Sequence, residues 1–310
     1  MHRREQLKEK AEKARDKAAA IGPDIDLKEF DTAPVPHDYL AEEDLCALPM
    51  ADQNTLLMAG MDVNRKGRGG TFFQKDTSVV HCQTAQEGVE VIPIRKALEE
   101  YDWIEEYYGR LATVDADKYT AAAMLDLHDG YVIRALPGTK TVYPIQACMY
   151  LEKEGLQQNV HNIIIAEEGS ELHIITGCAT APHMHRGLHV GISEFFVKKN
   201  AKLSFTMIHN WAEDMAVRPR SVARVEEGGL FLNNYICMKP VRSLQMYPTT
   251  YLAGPDAVAR FYSIVVGSPG SHYDMGGRIF LEHPGNRAEI ISRVISNGGH
   301  VVERVLLVRK

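Results

Sequence analysis

From His161 to the end of the chain, short β-branched and aromatic runs alternate with turns that resemble one another. They are Glu167-Glu168-Gly169-Ser170-Glu171-Leu172, Lys198-Lys199-Asn200-Ala201-Lys202-Leu203, Glu226-Glu227-Gly228-Gly229-Leu230-Phe231, Ala253-Gly254-Pro255-Asp256-Ala257-Val258 and His283-Pro284-Gly285-Asn286-Arg287-Ala288. Their third positions stand 27 to 31 residues apart, a period that marks stacked architectures. Three residues past each comes an apolar side chain: Leu172, Leu203, Phe231, Val258, Ala288, and Val301 after Gly298. One apolar residue per period, dropped onto one internal line, predicts a β-solenoid, a β-helix or jelly-roll-like stack, over residues 161–310. A β-sandwich or β-barrel is the alternative. Val301 to Lys310 still reads as strand, so the chain is expected to stop in mid-sheet, with a partner or further chain covering the edge.

Ahead of the repeats the texture differs. Leu7, Ala11, Ala14, Ala18 and Ile21 recur at steps of three and four, which predicts a lightly docked helix over 3–21 ended by Gly22-Pro23. A linker through Pro34 and Pro36 closes a first segment, 1–36. Residues 37–160 read as a mixed α/β domain, with a helix from Ile94 to Tyr108 stopped by Gly109 and a hairpin turned at Asp129-Gly130 between Ala123–Leu127 and Tyr131–Leu136. The helix carries Tyr101, Trp103, Tyr107 and Tyr108, which are assigned to packing.

A net charge of −6 gives no basic field to neutralise phosphates, so nucleic acid is not an expected partner. No apolar run approaches the roughly 18 residues that span a bilayer, and the N-terminus is charged, so no membrane or secretory role is expected. Five scattered cysteines without a Cys-x-x-Cys pair suit a reducing cytoplasm. The phosphate-cradling, dinucleotide, nucleophile-elbow and zincin motifs are absent. If nucleotide energy is used, another subunit must supply it.

The densest reactive stretch runs from Gly177 to His189. In one reading His183, His185 and His189, with a carboxylate such as Glu194, hold Fe, Mn or Zn in a cupin-like metal enzyme. In another, Cys178 is a soft thiolate that accepts sulfur or binds iron. That needs access and a lowered thiol pKa, with Arg186 or a histidine supplying positive field. The plain alternative is a small core cysteine beside a surface loop that happens to hold histidines. Cys237 lies near Cys178 if the coils stack, and is otherwise core. Cys46, Cys82 and Cys148 are given no role. Glu282-His283 offers hard and borderline ligands at a turn, which suits iron.

Several separate islands, in order, resemble one family. They are Gly177-Cys178, Thr180-Ala181-Pro182, Leu188-His189, Ser193 to Ala201, His209-Asn210-Trp211, Asn159 to Asn162, Lys239-Pro240-Val241 and Ile290 to Arg293. Together they look like SufB, the scaffold subunit of Suf-type iron–sulfur cluster assembly, and most like its shorter archaeal-type members, over nearly all of residues 60–310. The resemblance implies a right-handed parallel β-helix preceded by a smaller α/β region. It implies a non-enzymatic scaffold that carries an iron–sulfur cluster transiently, pairs with a second SufB or a SufD-like subunit, takes sulfur from a donor protein and works with the SufC-type ABC ATPase. The cysteine matching Cys178 receives sulfur in that family and leads it along the β-helix interior, and SufD-like chains generally lack it. Two departures stand out. The family pattern continues past the equivalent of Lys310, with a further ligand cysteine and terminal helices, and this chain has an extra residue between Cys178 and Ala181, besides the unusual His183 and His185. Non-catalytic SufD-like pairing is the remaining reading.

Overall fold

The corners of a solenoid are where the repeated turns stand in the computed structural model, which describes residues 2–64 and 67–309. Lys310 lies outside the described residues. Gly169, Asn200, Gly228, Asp256 and Gly285 all take positive φ, between 55° and 76°, the left-handed region that glycine, Asn and Asp enter most easily. Each corner hydrogen-bonds to the next: Gly169 N donates to Lys199 O at 3.0 Å, Asn200 N to Glu227 O at 2.9 Å, Gly228 N to Pro255 O at 2.9 Å and Asp256 N to Pro284 O at 3.1 Å. The corners therefore stack as a ladder of their own.

The chain opens with α1 (His2–Lys13), α2 (Glu42–Leu45) and α3 (Met50–Met58), then β1 (Gly70–Lys75), β2 (Ser78–Thr84) and β3 (Val89–Pro93). After α4 (Ile94–Glu100) and α5 (Lys118–Leu125) come β4 (Tyr131–Ala135), β5 (Ile145–Leu151), β6 (Gln157–Ala166), β7 (Glu171–Thr180), β8 (Arg186–Val197), β9 (Lys202–Asn210) and β10 (Asp214–Val225). The remaining strands are β11 (Leu230–Cys237), β12 (Ser243–Met246), β13 (Thr249–Leu252), β14 (Val258–Gly267), β15 (His272–Leu281), β16 (Arg287–Ser296) and β17 (His300–Arg309). One sheet runs β16-β14-β11-β9-β7-β5-β1-β2, the other β12-β15-β13-β10-β8-β6-β4-β3 with β17 on β15. From β4 onward every pairing between successive coils is parallel; the β1–β2 and β3–β4 pairs are antiparallel. From β4 onward successive strands alternate between the two sheets, except that β12 and β13 share one, so the expected solenoid forms and the sandwich and barrel alternatives do not.

The internal stack differs from expectation at two members, Val258 and Val301. Leu172, Leu203 and Phe231 are in register and buried, but the next member is Ala259, not Val258, followed by Ala288. The left-handed corner is Asp256, one residue later than Pro255, so the inward residue shifts by one as well. Val301 belongs to the other sheet, paired with Tyr273. Phe195 closes this end of the interior, its ring centroid 4.8 Å from Phe205 and 5.0 Å from Phe231.

The N-terminal part is less regular than the sequence suggests. α1 stops at Lys13, because residues 17–31 leave it to strap the outside of the solenoid. Gln245 Nε2 donates to Ile21 O, 224 residues away in the chain, Arg218 Nη2 donates to Pro23 O, and Lys118 Nζ pairs with Asp24 at 2.8 Å. The stripe residues Ala11 and Ala14 are buried with Tyr108 and Ile163. The expected 94–108 helix ends at Glu100 and continues as a 3₁₀ turn over Asp102–Glu106. Tyr107 and Tyr108 pack as expected, whereas Tyr101 is exposed. The hairpin at Asp129-Gly130 does not form. Ala123 to Leu125 end α5, whose start is fixed by Asp117 Oδ1 accepting from Tyr119 N and Thr120 N, and Tyr131–Ala135 pairs with β3 instead. The division expected at 160/161 falls within β6, and both sheets carry strands from earlier in the chain.

Candidate functional site

Gly177 fixes which way its neighbour points. A Cβ there would lie 2.1 Å from the Ala59 carbonyl just after α3, so residue 177 faces the outer, helix-covered side and Cys178 faces the interior. Cys148, in register with Gly177, shares the outer side. Thr176, on the same face as Cys178, lies 3.5 Å from the hydroxyl of Tyr131 in the opposite sheet.

Within the interior, Met149, Cys178 and His209 stand side by side on β5, β7 and β9. β11 keeps this register through Ile236–Ile208, which carries Cys237 to the next position and then to Val265. Adjacent strands lie about 4.8 Å apart, so Cys178 and Cys237 flank His209 in one column. His209 Nδ1 and the Tyr235 hydroxyl form a 2.8 Å hydrogen bond. The Trp211 ring lies 5.7 Å from His209 and 5.0 Å from His189. His189 Nδ1 is bonded at 2.9 Å to Gln158 Oε1, and Gln158 Nε2 donates at 2.5 Å to Asp76 O. These contacts form a polar file through the interior. Two of its atoms, His209 Nε2 and Trp211 Nε1, are buried with no hydrogen-bond partner. Such groups are rare in native interiors and each asks for an explanation.

Burial sets the charge state of the file. Desolvation pushes the Cys178 thiol well above its usual range, with Cys148 adding to it, and raises Cys237 to about 11. The same desolvation lowers His189 to about 3, and lowers His209 with a further contribution from His189. At neutral pH the column holds protonated thiols and neutral imidazoles. It is uncharged, soft and able to relay protons, a donor set suited to sulfur and to thiophilic metals.

The expectation of an accessible, low-pKa Cys178 is therefore not met. The thiol is inside the solenoid, and Arg186 is on the surface, paired with Glu29 and stacked on Phe30. The three histidines do not converge either. His183 and His185 are exposed on the β7–β8 loop, while His189 points inward. Glu194 is a fastener, not a ligand. Fully buried, it accepts from Gly109 N at 2.6 Å, Ala112 N at 3.1 Å and Leu111 N, and bonds His161 Nε2 at 2.8 Å. Glu282 and His283 sit before the Gly285 corner, at the opposite end of the coils from the Cys178 column. Sequence reading missed Gln158 and Tyr235 as members of the file. A count from the corners reaches only the column itself, since Cys178, His209, Cys237 and Val265 are each ninth after Gly169, Asn200, Gly228 and Asp256; Gln158 and Tyr235 lie off that count.

No helix among the described residues is long and apolar enough to cross a membrane. Residues 149–303 match the family described as "SUF system FeS cluster assembly, SufBD core domain". The chain is 44% identical to an iron–sulfur cluster assembly SufBD family protein of Methanothermobacter thermautotrophicus (strain Winter), over 96% of this chain and 75% of that protein. It is 48% identical to one of Archaeoglobus fulgidus, over 82% of this chain and 68% of the relative. A Pyrococcus horikoshii relative is 28% identical over 84% of this chain and 60% of its own length. The stacked coils, the soft interior column and these relatives converge: the chain belongs to the SufBD family of iron–sulfur cluster assembly proteins.

Proposed function

We propose that this chain is a scaffold on which sulfur is received at Cys178 and led along the interior file into a nascent iron–sulfur cluster, the cluster being its cargo. The observation that carries the reading is the Cys178–His209–Cys237 column with its unpartnered imidazole nitrogen. The first step is an exchange between a donor persulfide and the Cys178 thiol. The Cys178 sulfur bonds to the donor's terminal sulfur, the donor S–S bond breaks, and the donor leaves as a thiol carrying the proton that Cys178 gives up. His209, one strand away and neutral, is placed to pass that proton.

A buried, protonated thiol is a poor nucleophile, so the exchange needs the cover over this corner of the solenoid to open. Gly187 at that corner is closely packed by Met184 Cε and Met215 Sδ, both side chains that repack readily. A SufC-like ATPase and a second SufB or SufD-like subunit are the partners this reading expects to drive opening. A sulfur donor protein supplies the persulfide, and five unpaired cysteines suit a reducing cytoplasm. Cluster reconstitution in the complete complex tests it. Cys178→Ala abolishes the cluster absorbance while leaving ATPase co-purification intact; an undiminished cluster yield rejects the assignment.

A further inference from the structure

The linker, the first hairpin and the end of β5 meet at His37, Asp76 and Glu152. Among the described residues this is the one place where three metal-ligating atoms lie within 4.8 Å of one another. His37 Nε2 is 2.8 Å from Asp76 Oδ2. Ligands cis to each other at metal bonds of about 2.1 Å stand about 3 Å apart, so this pair already has the spacing of two ligands on one ion. Asp76 is 1% exposed, and its other oxygen accepts from Glu152 N at 2.8 Å and Lys153 N at 3.1 Å, which fixes the carboxylate's orientation. His37 is held from behind by its own backbone N–H, donated to Ser78 Oγ at 3.2 Å.

The Glu152 carboxylate brings a third ligand atom within 4.8 Å of the other two in a half-buried place, with Lys75 Nζ 2.6 Å away as its present counter-charge. The geometry points to a binding site for a divalent first-row transition ion such as Mn²⁺, Fe²⁺ or Zn²⁺, held by His37 Nε2, Asp76 Oδ2 and the Glu152 carboxylate. One imidazole and two carboxylates suit these ions rather than Ca²⁺ or Mg²⁺, which prefer oxygen alone. On binding, His37 presents an unprotonated nitrogen and Glu152 turns from Lys75 to the ion. The Asp76 carbonyl receives Gln158 Nε2, so the ion lies one hydrogen-bonded residue from the outer end of the interior file. This inference does not rest on the sulfur reading of Cys178.

Titration of the intact chain with Mn²⁺, followed by electron paramagnetic resonance, tests it, because Mn²⁺ has little preference for thiols. One saturable ion per chain is expected. His37→Gln, which can still hydrogen-bond to Asp76 and so protects the fold, and Glu152→Gln each weaken binding by about tenfold or more. Lys75→Met tightens it by freeing Glu152, and Cys178→Ala leaves it unchanged. No saturable binding, equal affinity in wild type and His37→Gln, weaker binding in Lys75→Met, or loss in Cys178→Ala overturns the site.

Discussion

The same coils carry two different interiors. Next to the corners, Leu172, Leu203, Phe231 and Phe195 interlock as hydrocarbon. Six residues further along the same strands, the inward side chains are Cys178, His209 and Cys237, with Tyr235, Trp211 and His189 around them. Backbone, register and burial are alike at both ends, so the difference belongs to side-chain chemistry alone. The apolar end sets the shape of the stack, and the polar end tolerates unpartnered donors that packing alone would have removed.

The contrast can be broken in four ways. Phe231→Ala, at the apolar end, should cost about 3–5 kcal/mol through lost burial and a cavity; denaturant unfolding that shows under about 1 kcal/mol would mean the rings are not what holds the coils together. The polar end should show its weight in acid. His189 and His209 bind protons less readily folded than unfolded, so stability present at neutral pH is lost as pH falls below about 6.5, and for His189 the loss continues to about 3. The slope per histidine is about 1.4 kcal/mol per pH unit, and unfolding midpoints across this range should flatten in His189→Gln. A slope unaltered by that change would place the acid sensitivity elsewhere.

Gly228→Ala should cost about 1–2 kcal/mol because residue 228 holds φ 64°. Gly228→Asn should recover part of this, since Asn200 occupies the same corner one coil away. Equal losses for both would show that crowding, not backbone conformation, governs the corner. The smallest effect belongs to the surface. Removing the exposed Lys199–Glu227 pair, 3.0 Å apart, by Lys199→Ala should change stability by less than about 0.5 kcal/mol, and a larger thermal shift would promote the charge ladder to a structural role.

The apolar end was legible because its signal is local. A corner residue with restricted φ, followed by an apolar residue at a fixed offset, needs no knowledge of what packs across from it. One slip, Val258 for Ala259, came from placing the corner at Pro255 rather than Asp256; the other, Val301, came from counting a turn of the opposite sheet, after Gly298, as one of the series. The polar end was half legible. Cys178 stood out by type, yet its burial did not, because a histidine-rich loop following a cysteine reads equally well as surface. The N-terminal region was least legible. The helix at Lys118–Leu125 has the Asp117 cap and three alanines in its favour, but it is short and buried nearly all round and so shows no amphipathic stripe, and Glu194's backbone partners at 109–112 lie more than eighty positions upstream. Contacts across such separations leave no periodic trace in sequence.

The strap of residues 17–31 has a kinetic consequence. Its anchor at Gln245 is made 224 residues after Ile21, and a ribosome adding about 5–20 residues per second needs roughly 10–45 s to deliver it. For that time the leading segment holds only its earlier grips, Lys17 O accepting from Lys118 N and Asp31 bonded to Gly155 and Gln157, and its end at Ile21 waits for the surface that completes it.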